Sequence, residues 1–113
     1  MWRDDGYLLD MLLSAREAAE FSAGLTFEAF EKGLVHQNAI VHVLLKVGEA
    51  GTKVSQEFKD EHPEIAWADV IGMRHRLVHD YHNIILGKVW EAVQSSIPRL
   101  IEQLQLLVPP EEP

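Results

Sequence analysis

The stretch Leu8-Leu9-Asp10-Met11-Leu12-Leu13-Ser14-Ala15-Arg16-Glu17-Ala18-Ala19-Glu20-Phe21-Ser22 places Leu8, Met11, Leu12, Ala15, Ala18, Ala19 and Ser22 at steps of three and four residues. That spacing returns each apolar or small side chain to one side of a helix, so the segment reads as an amphipathic α-helix. Asp4 or Asp5 offers N-cap chemistry at its start, and Ser22 to Gly24 marks its end.

Outward from this helix the same period recurs. Thr26 is a good cap for a following segment, with Leu25 and Phe30 at hydrophobic-staple spacing, and Gly33 interrupts that segment. A second long helix is predicted from about Leu34 into Gly48–Thr52, with Ile40, Val43, Leu44, Val47, Gly51 and Val54 on one face. Glycine in a helix interior costs about 0.5–1 kcal/mol relative to alanine, so Gly48 and Gly51 point to close approach of a neighbouring helix. Ser55 to His62 is polar apart from Phe58, and Pro63 marks a break. The last helix is predicted over about Gly87–Leu107, carrying Val89, Trp90, Val93, Ile97, Leu100, Ile101, Leu104 and Leu107 inward. Pro98 within it lacks a donor and predicts a kink near Ser95. Neither strand-like alternation nor an internal repeat is present. The expected fold is all-α: an up-down antiparallel four-helix bundle over residues 1–108, with an extra short helix, a kinked C-terminal helix and a disordered tail at 109–113.

The chain has 113 residues, 18 acidic against 10 basic side chains, a net charge of −8 and no cysteine. One domain of this size is marginal alone and gains from association. Without cysteine there is no disulfide, thiolate zinc site or cysteine nucleophile, which suits a reducing cytoplasm. The N-terminus lacks a signal-peptide profile, and no apolar run approaches a membrane span. The acidic balance opposes broad nucleic-acid coating through phosphate neutralisation, yet leaves room for one local basic site. Arg74 and Arg76 are the closest basic pair in the chain.

Those arginines belong to Arg74-His75-Arg76-Leu77-Val78-His79-Asp80-Tyr81, an R-x4-H-x-Y arrangement. A guanidinium holds phosphate oxygens through a planar fork of donors, an imidazole moves protons near neutral pH, and a phenol accepts a modifying group. Together they suffice for metal-free phosphoryl chemistry. Around them stand Thr26-Phe27-Glu28-Ala29-Phe30, Gly48-Glu49-Ala50, Pro63-Glu64-Ile65-Ala66-Trp67, Gly72-Met73-Arg74, Val89-Trp90 and Pro98-Arg99-Leu100. In these motifs and their order the chain resembles, from about Leu8 to Leu107, the HepT-like branch of the HEPN superfamily. It departs at Ala66, where that family commonly shows proline.

The resemblance implies a HEPN-like bundle and a metal-independent, cofactor-free endoribonuclease toxin, partnered by a minimal nucleotidyltransferase antitoxin in a toxin–antitoxin pair. It also implies a homodimer with the site at its interface, RNA as substrate, Arg74 and His79 as catalytic groups, and Tyr81 as the residue that the antitoxin modifies with AMP. His75, Glu49 and Arg76 become supporting or RNA-contacting groups.

On an ideal wheel starting from Val70, residues Leu77, Val78, Tyr81 and Ile85 fall within about 80° and Arg74 at about 40°. A guanidinium inside that apolar stripe needs either an opening to solvent or a partner, such as the carboxylate of Glu49 on the neighbouring helix. His79 points about 140° away from Arg74 on a straight helix. Either the helix unwinds near His79 or a two-fold dimer supplies the missing group.

Other readings compete. His75, His79 and His82 at i, i+4, i+7 form a three-imidazole metal face if the helix continues, or else an ordinary solvated face. Asp80 stands four residues from Arg76, at ion-pair spacing, and could instead orient a histidine. Trp67 and Trp90 read as core or interface anchors, and Tyr81 by itself as a hydrogen-bonded core aromatic. His36 and His42 carry no pattern. From another function class, the chain could be a non-catalytic partner or substrate module of a nucleotidyltransferase.

Overall fold

The stripe of the first segment is buried along its length: Leu8, Met11, Ala15 and Ala18 expose nothing. These residues lie on α1 (Trp2–Ser22) in a computed structural model that describes residues 2–109. Gly24, at φ +73°, turns the chain after it, a conformation that L side chains rarely adopt. Thr26 then accepts a hydrogen bond from the Ala29 amide at 3.1 Å and opens α2 (Phe27–Lys32). Gly33 separates α2 from α3 (Leu34–Lys53), as its breaker chemistry predicts.

Asp4 differs from the expectation. The helix already includes it, so it caps nothing in α1; nearly buried, it instead accepts from the Ser55 amide at 2.9 Å and the Ser55 hydroxyl at 2.7 Å. The Ser55 hydroxyl oxygen in turn accepts from the Phe58 amide at 3.1 Å and caps α4 (Gln56–Glu61). This relay pins the end of α3 to the start of α1. Burial pushes the Asp4 carboxyl up, but the two bonds from Ser55 together with nearby positive charge, including Lys59, outweigh it and hold its pKa below the ordinary 3.8.

After α4 the chain enters α5 (Trp67–His79) without a side-chain cap at Ala66. Its entry is held by the Trp67 indole, which donates to the His62 carbonyl at 2.9 Å and meets Phe58 edge-on. Trp67 is a core anchor, as its type suggests. Then come a 3-10 turn (Tyr81–Asn83), α6 (Leu86–Glu91), a π-turn (Ala92–Ser96) and α7 (Ile97–Gln105). The expected distortion at Ser95 takes the form of this π-turn. Ile97 donates to Ala92, five residues back, and Pro98, which has no donor, follows directly in a backbone that stays right-handed helical at Glu91, Ala92, Ser96 and Ile97.

The fold is therefore all-helical, with the six-residue helices α2, α4 and α6 beside longer ones. The α1 helix packs on α3 and α7, and α3 packs on α5. Phe30, Phe27 and Trp90 form an aromatic cluster, with Phe30 and Trp90 centroids 5.4 Å apart, tying α2 to α6. Of the tail expected at 109–113, Pro109 is exposed and without regular structure, and residues 110–113 lie outside the described ones. Among the described residues no helix is long and apolar enough to cross a membrane.

Candidate active site

The site begins with a close helix crossing. A Cβ added at Gly48 would overlap the Arg74 side chain and come within 3.2 Å of the Val70 carbonyl oxygen; one at Gly51 would reach Val70 at 3.5 Å. The two glycines thus let α5 lie against α3, as their cost in a helix interior implied. One residue after Gly48, Glu49 meets the newcomer: its Oε2 stands 2.8 Å from Arg74 Nε in an ion pair. The Arg74 side chain is one-third exposed. Glu49 pairs with its Nε, and a guanidinium carries further N–H donors on its two terminal nitrogens. Lys53, 3.7 Å from Glu49 Oε1, adds a second positive charge.

Beyond Arg74 the straight-wheel picture fails. The α-helix ends at His79, with Asp80 at φ −106° and ψ 32°, and Tyr81 starts the 3-10 turn. Tyr81 and Ile85 therefore do not continue the stripe of Val70; both are exposed, at 62% and 61%. Tyr81 is no core aromatic. Its ring instead meets His82 edge-on at 5.5 Å.

The imidazole of His79, exposed at the last turn of α5, lies 4.2 Å from that of His75. His75 and His79 thus place two imidazoles one turn apart at an open helix end. His82, outside the helix, does not complete a three-histidine face, and among the described residues no group of three His, Asp or Glu donors converges. Asp80 forms no ion pair with Arg76 among the described residues, because the helix ends between their side chains; its amide donates to the Arg76 carbonyl at 2.8 Å instead.

Arg76 stands two positions after Arg74, about 200° around the helix. It lines a different cleft of about 430 Å³ with Lys88 and Arg99, between α5 and the α6–α7 run. Beside Tyr81 lies a further groove of about 500 Å³ that the linear sequence did not announce. It is lined by Tyr81 and His82 on one side and by Asn38 and His42 of α3 on the other. About forty residues separate its walls, so no spacing rule could have paired them.

A single chain therefore brings Arg74 to Glu49, His79 to His75 and Tyr81 to the α3 groove, but does not bring Arg74 to His79. Such parts can hold a phosphate and move protons once a further group joins them.

The model of the family described as "Ribonuclease HepT-like" matches residues 11–107. A protein of Caldanaerobacter subterraneus subsp. tengcongensis, provisionally named an RNase, is 31% identical over 94% of this chain and 95% of its own length. The "Probable ribonuclease HepT" of Thermococcus cleftensis is 33% identical over 83% of this chain and 86% of its own. A Methanocaldococcus jannaschii protein, also provisionally named an RNase, is 25% identical over 89% and 93%. No solved structure matches the chain.

Proposed function

The chain belongs to the HepT-like ribonuclease family, and from that premise we propose that it is a metal-independent endoribonuclease whose R-x4-H-x-Y groups act across a homodimer interface. The observation that carries this reading is the division of the motif: Glu49 aims Arg74 on one side of α5, while His79 stands exposed at the helix end. A two-fold axis near His79 places the second copy's motif opposite the first. Exposed Val78 (46%) and Ile85 offer apolar surface for such an association.

Cleavage then proceeds by attack of a ribose 2′-oxygen on the adjacent phosphorus. One His79 takes the 2′-hydroxyl proton as the O2′–P bond forms; the other protonates the departing 5′-oxygen as the P–O5′ bond breaks. The products are a 2′,3′-cyclic phosphate and a 5′-hydroxyl. Each proton transfer is of a kind typically worth about 10²–10⁴ in rate. Arg74 stabilises the charge on the non-bridging oxygens, where a preorganised donor exceeds its value in water.

Tyr81 is the proposed site of antitoxin control in a toxin–antitoxin pair. Its exposed phenol is open to a nucleotidyltransferase, and each AMP added there brings a phosphodiester charge beside the motif. A non-catalytic partner module would share that modification but not the cleavage. Purified protein incubated with RNA in chelator separates them: cyclic-phosphate ends from wild type, and none from His79→Ala or Arg74→Ala, are the expected result. Equal cutting by His79→Ala would defeat the mechanism. A mass gain in multiples of AMP on wild type but not on Tyr81→Phe checks the modification.

A further inference from the structure

The groove beside Tyr81 has the chemistry of a base platform. Its apolar lining includes Leu45 and Ile84, its rims carry the rings of Tyr81, His82 and His42, and the exposed Asn38 amide stands at its edge. Rings give a flat heterocycle stacking partners whatever its sequence, and a carboxamide supplies both a donor and an acceptor for a base edge. The neighbouring amide is already committed: Gln37 Nε2 donates to the Phe30 carbonyl at 3.0 Å and the Glu31 carbonyl at 2.9 Å, stiffening the start of α3. That leaves Asn38 to read a ligand. A volume of about 500 Å³ lies within the ordinary range of small-molecule sites.

Charge points the same way. A chain with a net charge of −8 gains little affinity for RNA by neutralising phosphates along a strand, so contacts to bases must carry more of it. We infer that this groove seats one unpaired nucleobase of a single-stranded RNA, next to the phosphate engaged by His79. The inference rests on the ribonuclease reading and deepens it: cutting is confined to flexible, single-stranded sites because a splayed base must enter the groove. Tyr81 then has two consequences when modified, since an adduct there blocks the base groove as well as adding charge.

The test is binding, so that it stands apart from cleavage. Protein expressed without any nucleotidyltransferase, and so unmodified at Tyr81, is titrated by fluorescence anisotropy against a 2′-O-methyl oligoribonucleotide that cannot be cut. A single abasic nucleotide is walked along that oligomer. Wild type is expected to lose about tenfold in affinity at one register, in keeping with the stacking of one base. The Asn38→Ala/His42→Ala double variant, altered only at exposed positions, should show a flat walk, and His42→Phe on the wild-type background should keep the step. A flat walk in wild type, a step that persists in the double variant, or no binding of any oligomer overturns the groove. Unmodified RNA assayed in parallel reports on the parent reading: a stepped walk without cleavage sinks the ribonuclease and leaves the base site standing.

Discussion

From Trp67 to Arg74, α5 lies so near α3 that a methyl group at Gly48 has no room, and the last residue of that half is ion-paired with Glu49 at 2.8 Å. From Val78 onward the same segment is largely exposed, leaves the α-helix after His79 and presents Tyr81 at 62% exposure. The first half is held by its own chain, and the second awaits something else. A guanidinium must be aimed before a phosphate arrives, whereas groups that touch RNA, a second subunit or a modifying enzyme must stay reachable.

The largest separation of the two halves should come from His79→Ala. It is expected to lower cleavage by about 10²–10⁴ while leaving stability within about 0.5 kcal/mol, because an exposed ring is removed. Cleavage kinetics and urea unfolding on the same preparation check both; a large loss of stability would show that the open half is structural after all.

In the held half the order reverses. Gly48→Ala should destabilise by about 1–3 kcal/mol through overpacking against Arg74 and the Val70 carbonyl, read as a lower urea midpoint. Gly87→Ala, just beyond the open end, meets nothing within 4 Å and should be neutral or stabilise by up to about 1 kcal/mol. Equal effects of the two alanines would erase the contrast.

Acid should loosen only the held side. The Asp4–Ser55 tie anchors the end of α3 from which Gly48 and Glu49 project, and the native pKa of Asp4 lies below 3.8. Its stabilisation is thus complete above the unfolded value and is lost as the pH falls through the lower native one. Ser55→Ala should cost about 1 kcal/mol at pH 7 and less at pH 3, which urea titrations at the two pH values measure. A difference that does not shrink on acidification would remove Asp4 from the account.

The smallest change is expected from Glu49→Gln. The pair is partly solvated, so it adds at most about 1 kcal/mol to stability. Loss of aim at Arg74 should nevertheless lower cleavage several-fold, with turnover falling more than substrate affinity. An unchanged turnover would make the pair purely structural.

Much of the bundle was legible because its cause is local. The Leu8–Ser22 stripe, the Thr26 cap, the Gly33 break and the inward face of α3 all follow from helical period and capping chemistry, and each is where those rules put it. Glu49 as the partner of Arg74 was legible too, because a guanidinium in an apolar stripe demands a carboxylate. Asp4 was misjudged because its partner lies 51 residues away, and a linear reading finds only the nearest helix start. The wheel through Tyr81 and Ile85 assumed a helix that stops at His79, where no proline or glycine signals the end.

The sequence by itself determined that the chain is helical, where its main breaks fall, and which side chains have the means for phosphoryl chemistry, since period, caps and side-chain chemistry are properties of short stretches. Tertiary structure alone decided that His79 is left open at the end of α5, and that Tyr81 shares a groove with Asn38 and His42. Those relations depend on how far the helices approach and where α5 ends, and both are set by packing between residues remote in the chain.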